Sequence, residues 1–356
     1  MRDRPELPIR ILTSALIGGA AALLLFGVSL RLQAEDYLDF GIFYASGRAW
    51  LEGASTLYPE QNLNAPILLP LFGLFAALPP LPAYIAWQGA NLLCLIAALA
   101  LTARELRRPW PYPALGVVLS SAATFSQVYF GQIAWLLLLP MTMAWRYWRR
   151  GRTREAAILM GLMVSLKPFL APAILLLCRM RFALGVIAAS AAAAPLLGVA
   201  IVAPETLSEW FAALGQPWHL VRWPHLASLM GTLVHRGLTP WGAAVIAALP
   251  FAIVLTRWQD LDADTQWATL VATCVLLSPL GWAYYLLWAL PAVAALWPDL
   301  STSLRWWLVM PMLVPVLLVA AVPVFHGIYV VPSLVLIFAT VKDFARVPQA
   351  SSMGGV

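Results

Sequence analysis

The sequence predicts an all-α membrane protein that crosses the bilayer many times. Hydrophobic residues make up 62% of the 356 positions and charged residues only 11%, a balance that a soluble domain of this size does not show. Long apolar runs recur along the whole chain, and a helix needs about 20 apolar residues to span the hydrocarbon core. We therefore predict a polytopic helical bundle with about 10–12 transmembrane helices.

The first apolar run, ILTSALIGGAAALLLFGVSL at residues 11–30, is long enough to span the bilayer. We expect it to remain as an anchor, because no small-residue cleavage pattern follows it in RLQAED. Further long runs lie at 83–103, 131–148, 182–203, 240–256, 281–297, 306–323 and 328–341, with shorter ones at 113–125, 155–166, 168–178 and 265–279.

Basic residues predict the orientation of the bundle. With both termini in the cytoplasm, 17 of the 22 lysines and arginines fall in cytoplasmic loops, where such residues are enriched. The pieces that then face outward are 31–82, 126–132, 166–169, 204–239, 278–282 and 325–329. These pieces hold all 4 histidines and most of the polar variety, so we expect a cell-membrane protein whose chemistry is extracytoplasmic.

We expect one integral membrane domain over residues 1–345 and a disordered tail over 346–356. The net charge of +6 does not indicate a nucleic-acid-binding protein, because the basic residues flank apolar runs. The 3 cysteines lie in apolar runs without CxxC or metal-ligand spacing, which favours small packed side chains.

The segment DYLDFGIFYASGRAWLEG at residues 36–53 predicts a short helix along the outer membrane surface. Asp36 suits the N-cap, Asp39 the first turn and Gly53 the C-terminal stop. These acids could serve only the helix terminus. A carboxylate held beside the membrane could instead act as a general base toward a hydroxyl, and the residues alone leave both readings open.

Aromatic residues and an arginine lie close to these acids in the sequence. Two of these residues, Tyr58 and Arg48, are candidate substrate ligands. The aromatic residues Phe43, Tyr44, Trp50 and Tyr58 could form a platform for a sugar ring. They are equally typical of the aromatic belt found where membrane proteins meet the interface.

Five segments occur in an order that resembles glycosyltransferase family 87. They are DFGIFYASGRAWLEGASTLY, APILLPLFGLFAALP, GQIAWLLLL, GLMVSLKPFLAPAILLLCRMR and LLSPLGWAYYLLWALP, extending from about residue 36 to 297. The resemblance implies a GT-C fold with its active site at the outer membrane surface and an acid of the first outer loop as base. The acid that matches the family pattern is Asp39, with Asp36 as the alternative.

The resemblance also implies the substrates, a polyprenyl-phosphate-linked sugar donor and a lipid or glycan acceptor. Such a donor carries a phosphodiester anion, and Lys167 in SLKPFL is a candidate cation because an ionisable residue between apolar runs is costly. Pro168 should break the helix there and let Lys167 face a water-filled cavity. No cofactor or metal is expected, because the leaving group is already a lipid phosphate.

Other candidate donor and sugar ligands come from two outer segments and from the residues that follow a third. Gln132 matches the family's GQ pair and could bind sugar hydroxyls or cap a helix. Arg222 and His225 lie in the basic and aromatic segment WHLVRWPHLASLMG, although relatives tend to carry an asparagine-containing segment where His225 stands. After SPLGW, relatives often carry histidines, whereas this chain has Tyr284 and Tyr285, which can donate hydrogen bonds but remain neutral near neutral pH.

We therefore predict an inverting membrane glycosyltransferase with Asp39 as general base. Two alternatives remain: a transporter or flippase of lipid-linked sugars, and a catalytically inactive member of the family. The absence of a visible internal repeat argues against the transporter, because many transporters are built from related halves.

Overall fold

The computed structural model describes residues 38–58, 62–110, 112–215, 226–314 and 316–344, in which the regular elements are all helical. The α-helices of these residues are α1 Leu38–Leu51, α2 Leu69–Ala76, α3 Pro80–Leu106, α4 Tyr112–Ser120, α5 Ala122–Phe130, α6 Ala134–Arg149, α7 Thr153–Leu166, α8 Pro172–Met180, α9 Phe182–Val202, α10 Pro204–Leu214, α11 Leu229–His235, α12 Pro240–Arg257, α13 Ala263–Leu277, α14 Leu290–Leu296, α15 Thr302–Leu313, α16 Val316–Ala321 and α17 Val330–Phe344. Short 3-10 helices lie at Pro66–Leu68, Pro168–Leu170, Trp258–Asp260, Ala283–Ala289 and Pro323–Phe325. The predicted all-α class is confirmed.

Within the described ranges, 3 helices are long and apolar enough to cross a membrane, namely Pro80–Leu106, Phe182–Val202 and Pro240–Asp260. Shorter apolar helices lie at Pro66–Ala76, Pro168–Met180, Ala283–Leu296 and Pro323–Phe338. The chain is thus a membrane protein. The count of 10–12 crossings stays a prediction, and both the run at 11–30 and the tail at 346–356 lie outside the described residues.

Some apolar runs that look continuous in the sequence are broken in the structure. The run at 281–297 begins as the 3-10 helix Ala283–Ala289 and becomes α-helical only at α14. The run at 113–125 is divided at Ser121, whose hydroxyl caps the N-terminus of α5. Hydropathy does not register such breaks, because the interrupting residues are themselves compatible with a buried environment.

The first described helix, α1, occupies the place predicted for the outer helix. Asp39 lies in its first turn, and Gly53 just beyond its end has a φ of +64°, in the left-handed region that favours glycine. Gly47 lets α1 pack directly on α2, since a Cβ there would lie 2.5 Å from the carbonyl carbon of Phe72. The predicted cap Asp36 lies outside the described residues.

Charged residues from loops predicted to be cytoplasmic meet in one cluster, which we call the charged end. Glu105 of α3 accepts from Arg146 of α6 at 2.8 Å and pairs with Arg150 at 2.7 Å. Asp264 of α13 pairs with Arg149 at 3.4 Å. The charged end thus ties α3, α6 and α13 together through matched opposite charges.

Candidate active site

A cavity of about 450 Å³ lies between α1, the turn after α5, the break between α7 and α8, and the segment after α13. Its polar lining residues are Asp39, Asn62, Asn64, Gln132, Lys167, Ser278, Tyr284 and Tyr285. Its apolar lining residues are Ile42, Phe43, Leu63, Phe130, Pro168, Phe169, Leu214, Pro279, Leu280 and Trp282. Apart from the two tyrosines, every one belongs to a piece predicted to face outward. We call this space the polar cavity.

One face of α1 borders the polar cavity. Asp39, Ile42 and Phe43 have the i, i+3, i+4 spacing of a single helix face, and all three line the cavity. Arg48 lies nine residues beyond Asp39, which is about 180° around the helix. Its side chain is exposed and pairs with Glu52. The structure therefore places Arg48 away from the cavity.

Gln132 reaches Asp39 from a Schellman turn that ends α5. The N–H of Gln132 donates to the carbonyl of Gln127 at 2.9 Å and that of Gly131 to Val128 at 3.2 Å, with a φ of +68° at Gly131. Nε2 of Gln132 donates to Oδ2 of Asp39. Its Oε1 is buried and has no hydrogen-bond partner within the described ranges. Such an oxygen is costly to bury unless a donor reaches it, so it is a candidate acceptor for a substrate hydroxyl.

Two buried amides fix the turn that carries Gln132. Oε1 of Gln127 accepts from the N–H of Ala134 at 2.9 Å, and Oδ1 of Asn91 accepts from the N–H of Leu136 at 3.0 Å. Both N–H groups belong to the first turn of α6, which has no intrahelical acceptors for them. Gln127 also donates to Asn91 at 3.2 Å. The position of Gln132 is therefore set by α3, α5 and α6 together.

Lys167 lies at the break between α7 and α8. Pro168 follows it and cannot continue the helix, so the break predicted there is present. The Lys167 side chain is buried, with Nζ donating to Oδ1 of Asn64 at 2.6 Å and lying 5.6 Å from the ring centroid of Tyr285. Burial lowers the pKa of Lys167 to about 8, and the negative charge of Asp39 opposes that shift. Lys167 is thus a dehydrated cation at the wall of the cavity.

Asn62 and Asn64 are polar cavity residues that the sequence analysis missed. They are 1% and 4% exposed, although neither lies in a helix. Nδ2 of Asn62 donates to the hydroxyl of Ser46 on α1 at 3.0 Å, while its Oδ1 accepts from Asn64. Tyr58 is buried behind them and donates to the carbonyl of Asn64 at 3.0 Å. Two amides in the short segment NLNAP of so apolar a chain were the available signal.

Aromatic rings from two segments line part of the cavity. The Tyr284 and Tyr285 rings are 4.7 Å apart in an edge-to-face arrangement, and Phe169 lies 4.6 Å from Tyr285. Trp282 stacks on Tyr284 at 6.3 Å. The two positions that follow SPLGWA are therefore occupied by neutral rings that line the same cavity as Lys167.

The chain leading to the two asparagines is held by α10. Glu209 accepts from the backbone N–H groups of Leu57 and Tyr58 at 2.9 and 3.1 Å. Nε1 of Trp210 donates to the carbonyl of Leu63 at 3.2 Å. Sequence reasoning missed this contact, because Glu209 is about 150 residues from the segment that it binds.

The structure brings together four of the predicted site residues, because Asp39, Gln132, Lys167 and Tyr285 all line the polar cavity. Tyr58 supports the cavity from behind, and Arg48 lies elsewhere. The remaining candidates, Asp36, Arg222 and His225, lie outside the described residues. The cavity thus offers a carboxylate that can take a proton and a cation that can bind an anion.

Comparison with known proteins identifies the chain by its family. The model of glycosyltransferase family 87 matches residues 62–279, more than half of the chain. The matched range includes Gln132 and Lys167, whereas Asp39 and Tyr285 lie outside it. No curated protein and no solved structure matches the chain.

Proposed function

We propose, from the premise that the chain belongs to glycosyltransferase family 87 and is a membrane glycosyltransferase, that its sugar donor is a polyprenyl-phosphate sugar. The acceptor is a lipid or glycan hydroxyl. The observation that carries this proposal is that Asp39 and Lys167 line one cavity. A base for the acceptor and a cation for the donor phosphate can therefore act on the same substrate pair.

Asp39 takes the proton of the acceptor hydroxyl as the hydroxyl oxygen attacks the anomeric carbon of the donor sugar. The bond between this carbon and the phosphate oxygen breaks, and polyprenyl phosphate leaves with the bonding electrons. Lys167 binds the donor phosphodiester and stabilises the additional negative charge on the leaving group. A single displacement reverses the configuration of the anomeric carbon, so the transfer is inverting.

The other cavity residues orient the substrates. Gln132 holds Asp39 through Nε2, and its buried Oε1 accepts from a sugar or acceptor hydroxyl. Tyr284 and Tyr285 offer ring faces and hydroxyl donors to the substrates, but they add no positive charge beside that of Lys167. Arg222 and His225 remain candidate ligands of the donor.

We place this reaction on the extracytoplasmic side of the cell membrane. In support, nearly all the cavity lining comes from pieces that the distribution of basic residues assigns to that side. The charged end gathers residues from loops assigned to the cytoplasm.

The test uses purified protein in lipid vesicles, supplied with radiolabelled polyprenyl-phosphate sugars and total membrane lipids as acceptors. We expect label in a new glycosidic bond whose anomeric configuration, measured by NMR, is opposite to that of the donor. Retained configuration would overturn the single displacement. Label that crosses the vesicle without a new bond would indicate a transporter, and bound donor without any transfer an inactive member of the family.

A further inference from the structure

A chain of hydrogen bonds, which we call the relay, leads from Ser46 of α1 through Asn62 and Asn64 to Lys167 in the polar cavity. Nδ2 of Asn62 donates to the Ser46 hydroxyl at 3.0 Å, which turns Oδ1 of Asn62 toward Asn64. That Oδ1 accepts both the backbone N–H of Asn64 at 3.0 Å and its Nδ2 at 2.9 Å. The remaining polar atom of the Asn64 side chain, Oδ1, therefore faces Nζ of Lys167 at 2.6 Å.

We propose that Asn64 is a positioning residue for Lys167, and that Asn62 and Ser46 set the orientation of its amide. The reverse orientation would point an NH₂ group at the ammonium, and neither group could accept from the other. In the observed orientation, one ammonium N–H is satisfied and the other two can bind a phosphate. This last step rests on the proposed function, whereas the positioning of Lys167 does not.

The relay also links the two reactive groups of the cavity. Ser46 follows Asp39 by seven residues, two turns along the same face of α1. Lys167 is thus held by the helix that carries the carboxylate, through residues about 100 positions away in sequence. A displacement of α1 would move the base and release the support of the cation together.

The charge of Lys167 gives this role a direct readout. The titratable groups that share the cavity with Lys167 are Asp39 of α1 and the phenols of Tyr284 and Tyr285. Asn64→Ala removes a neutral acceptor from a buried cation and should disfavour its charged form. Asn64→Asp replaces that acceptor with a carboxylate of the same shape and should favour the charged form.

The experiment exploits the fact that the chain has only two lysines, Lys167 and Lys342. In the Lys342→Arg protein, ¹³C-labelled lysine gives one Cε resonance, whose chemical shift reports the titration of Lys167. We expect Asn64→Ala to lower the midpoint by about 1–2 pH units and Asn64→Asp to raise it. Asn62→Ala should lower it by less. Midpoints that coincide with that of the parent protein, or that move in the opposite directions, would overturn the positioning role.

One control tests whether loss of any buried polar group shifts the Lys167 midpoint, and a binding measurement separates this inference from the proposed function. Ser333→Ala removes a buried hydroxyl on α17 that has no partner among the described residues, and it should leave the Lys167 midpoint unchanged. Polyprenyl phosphate without a sugar then serves as the binding probe. If the midpoints move as expected but Lys167→Ala binds this probe as the parent does, the relay stands and the phosphate role of Lys167 fails.

Discussion

The polar cavity and the charged end hold their charged residues in opposite ways. At the charged end, Glu105 is matched by two arginines and Asp264 by a third, so charge compensates charge. In the cavity, Lys167 forms no ion pair within the described ranges and is held by the neutral amide of Asn64 beside an open space. A paired cluster fastens helices, whereas a cation that lacks such an ion pair and lies beside a cavity can still bind an anion.

The largest expected effect is on sugar transfer, and it distinguishes Asp39 in the polar cavity from Asp264 at the charged end. Asp39→Asn keeps the shape of the side chain and removes its ability to accept a proton. Transfer should fall by about 10²–10⁴-fold, the usual contribution of a general base, while donor affinity is retained. Single-turnover label transfer measures the effect, with Asp264→Asn at the charged end as the matched control. Equal losses in both variants would remove the distinction between the regions.

The next largest effect is on the binding of polyprenyl phosphate by Lys167. Lys167→Ala should weaken binding of polyprenyl phosphate by about 10–100-fold, because a charge-assisted hydrogen bond is lost. Equilibrium binding to the protein in lipid discs measures it. Lys342→Arg, at the chain's other lysine, should bind as the parent does. Unchanged binding in Lys167→Ala would assign the phosphate to other residues.

The pH dependence of kcat/KM tests whether the reaction needs the positive charge of Lys167. The pKa of Lys167 is lowered to about 8, so its positive charge is present below that pH and is lost as the pH rises through it. kcat/KM, which reports the free enzyme, should therefore fall above about pH 8. In Lys167→Arg the guanidinium stays charged, so any remaining activity should lack this fall. An alkaline fall that is identical in both proteins would exclude Lys167 as its origin.

The smallest effect on activity is expected at the charged end. Glu105→Gln removes the carboxylate shared by Arg146 and Arg150, both of which are partly exposed. We expect a loss of about 1 kcal/mol in stability and no change in transfer. Thermal unfolding in detergent and label transfer measure the two quantities. A large loss of transfer without a loss of stability would give the charged end a functional role.

Local features of the cavity could be predicted from the sequence. Lys167 and Pro168 predicted a cation at a helix break, because both signals act on adjacent residues. The helical register of α1 also indicates that Arg48 points away from Asp39, because nine residues separate them. The all-α class followed from composition, since hydrophobicity is summed over the whole chain.

Long-range features could not be predicted in this way. The bonds from Asn64 to Lys167 and from Glu209 to Tyr58 join residues more than 100 positions apart, and no local pattern encodes such partners. The 3-10 helix Ala283–Ala289 could not be predicted either, because its residues have the hydropathy of a continuous span. The contacts that shape the cavity are thus set by tertiary packing.

The most direct test of the polar cavity as the site of transfer is a cryo-electron microscopy structure with bound polyprenyl phosphate. We expect phosphate density in the polar cavity within hydrogen-bonding distance of Lys167 Nζ, with the polyprenyl chain leaving toward the lipid. Density beside Arg146, Arg149 and Arg150 at the charged end, with an empty polar cavity, would contradict the assignment of the polar cavity as the site of transfer.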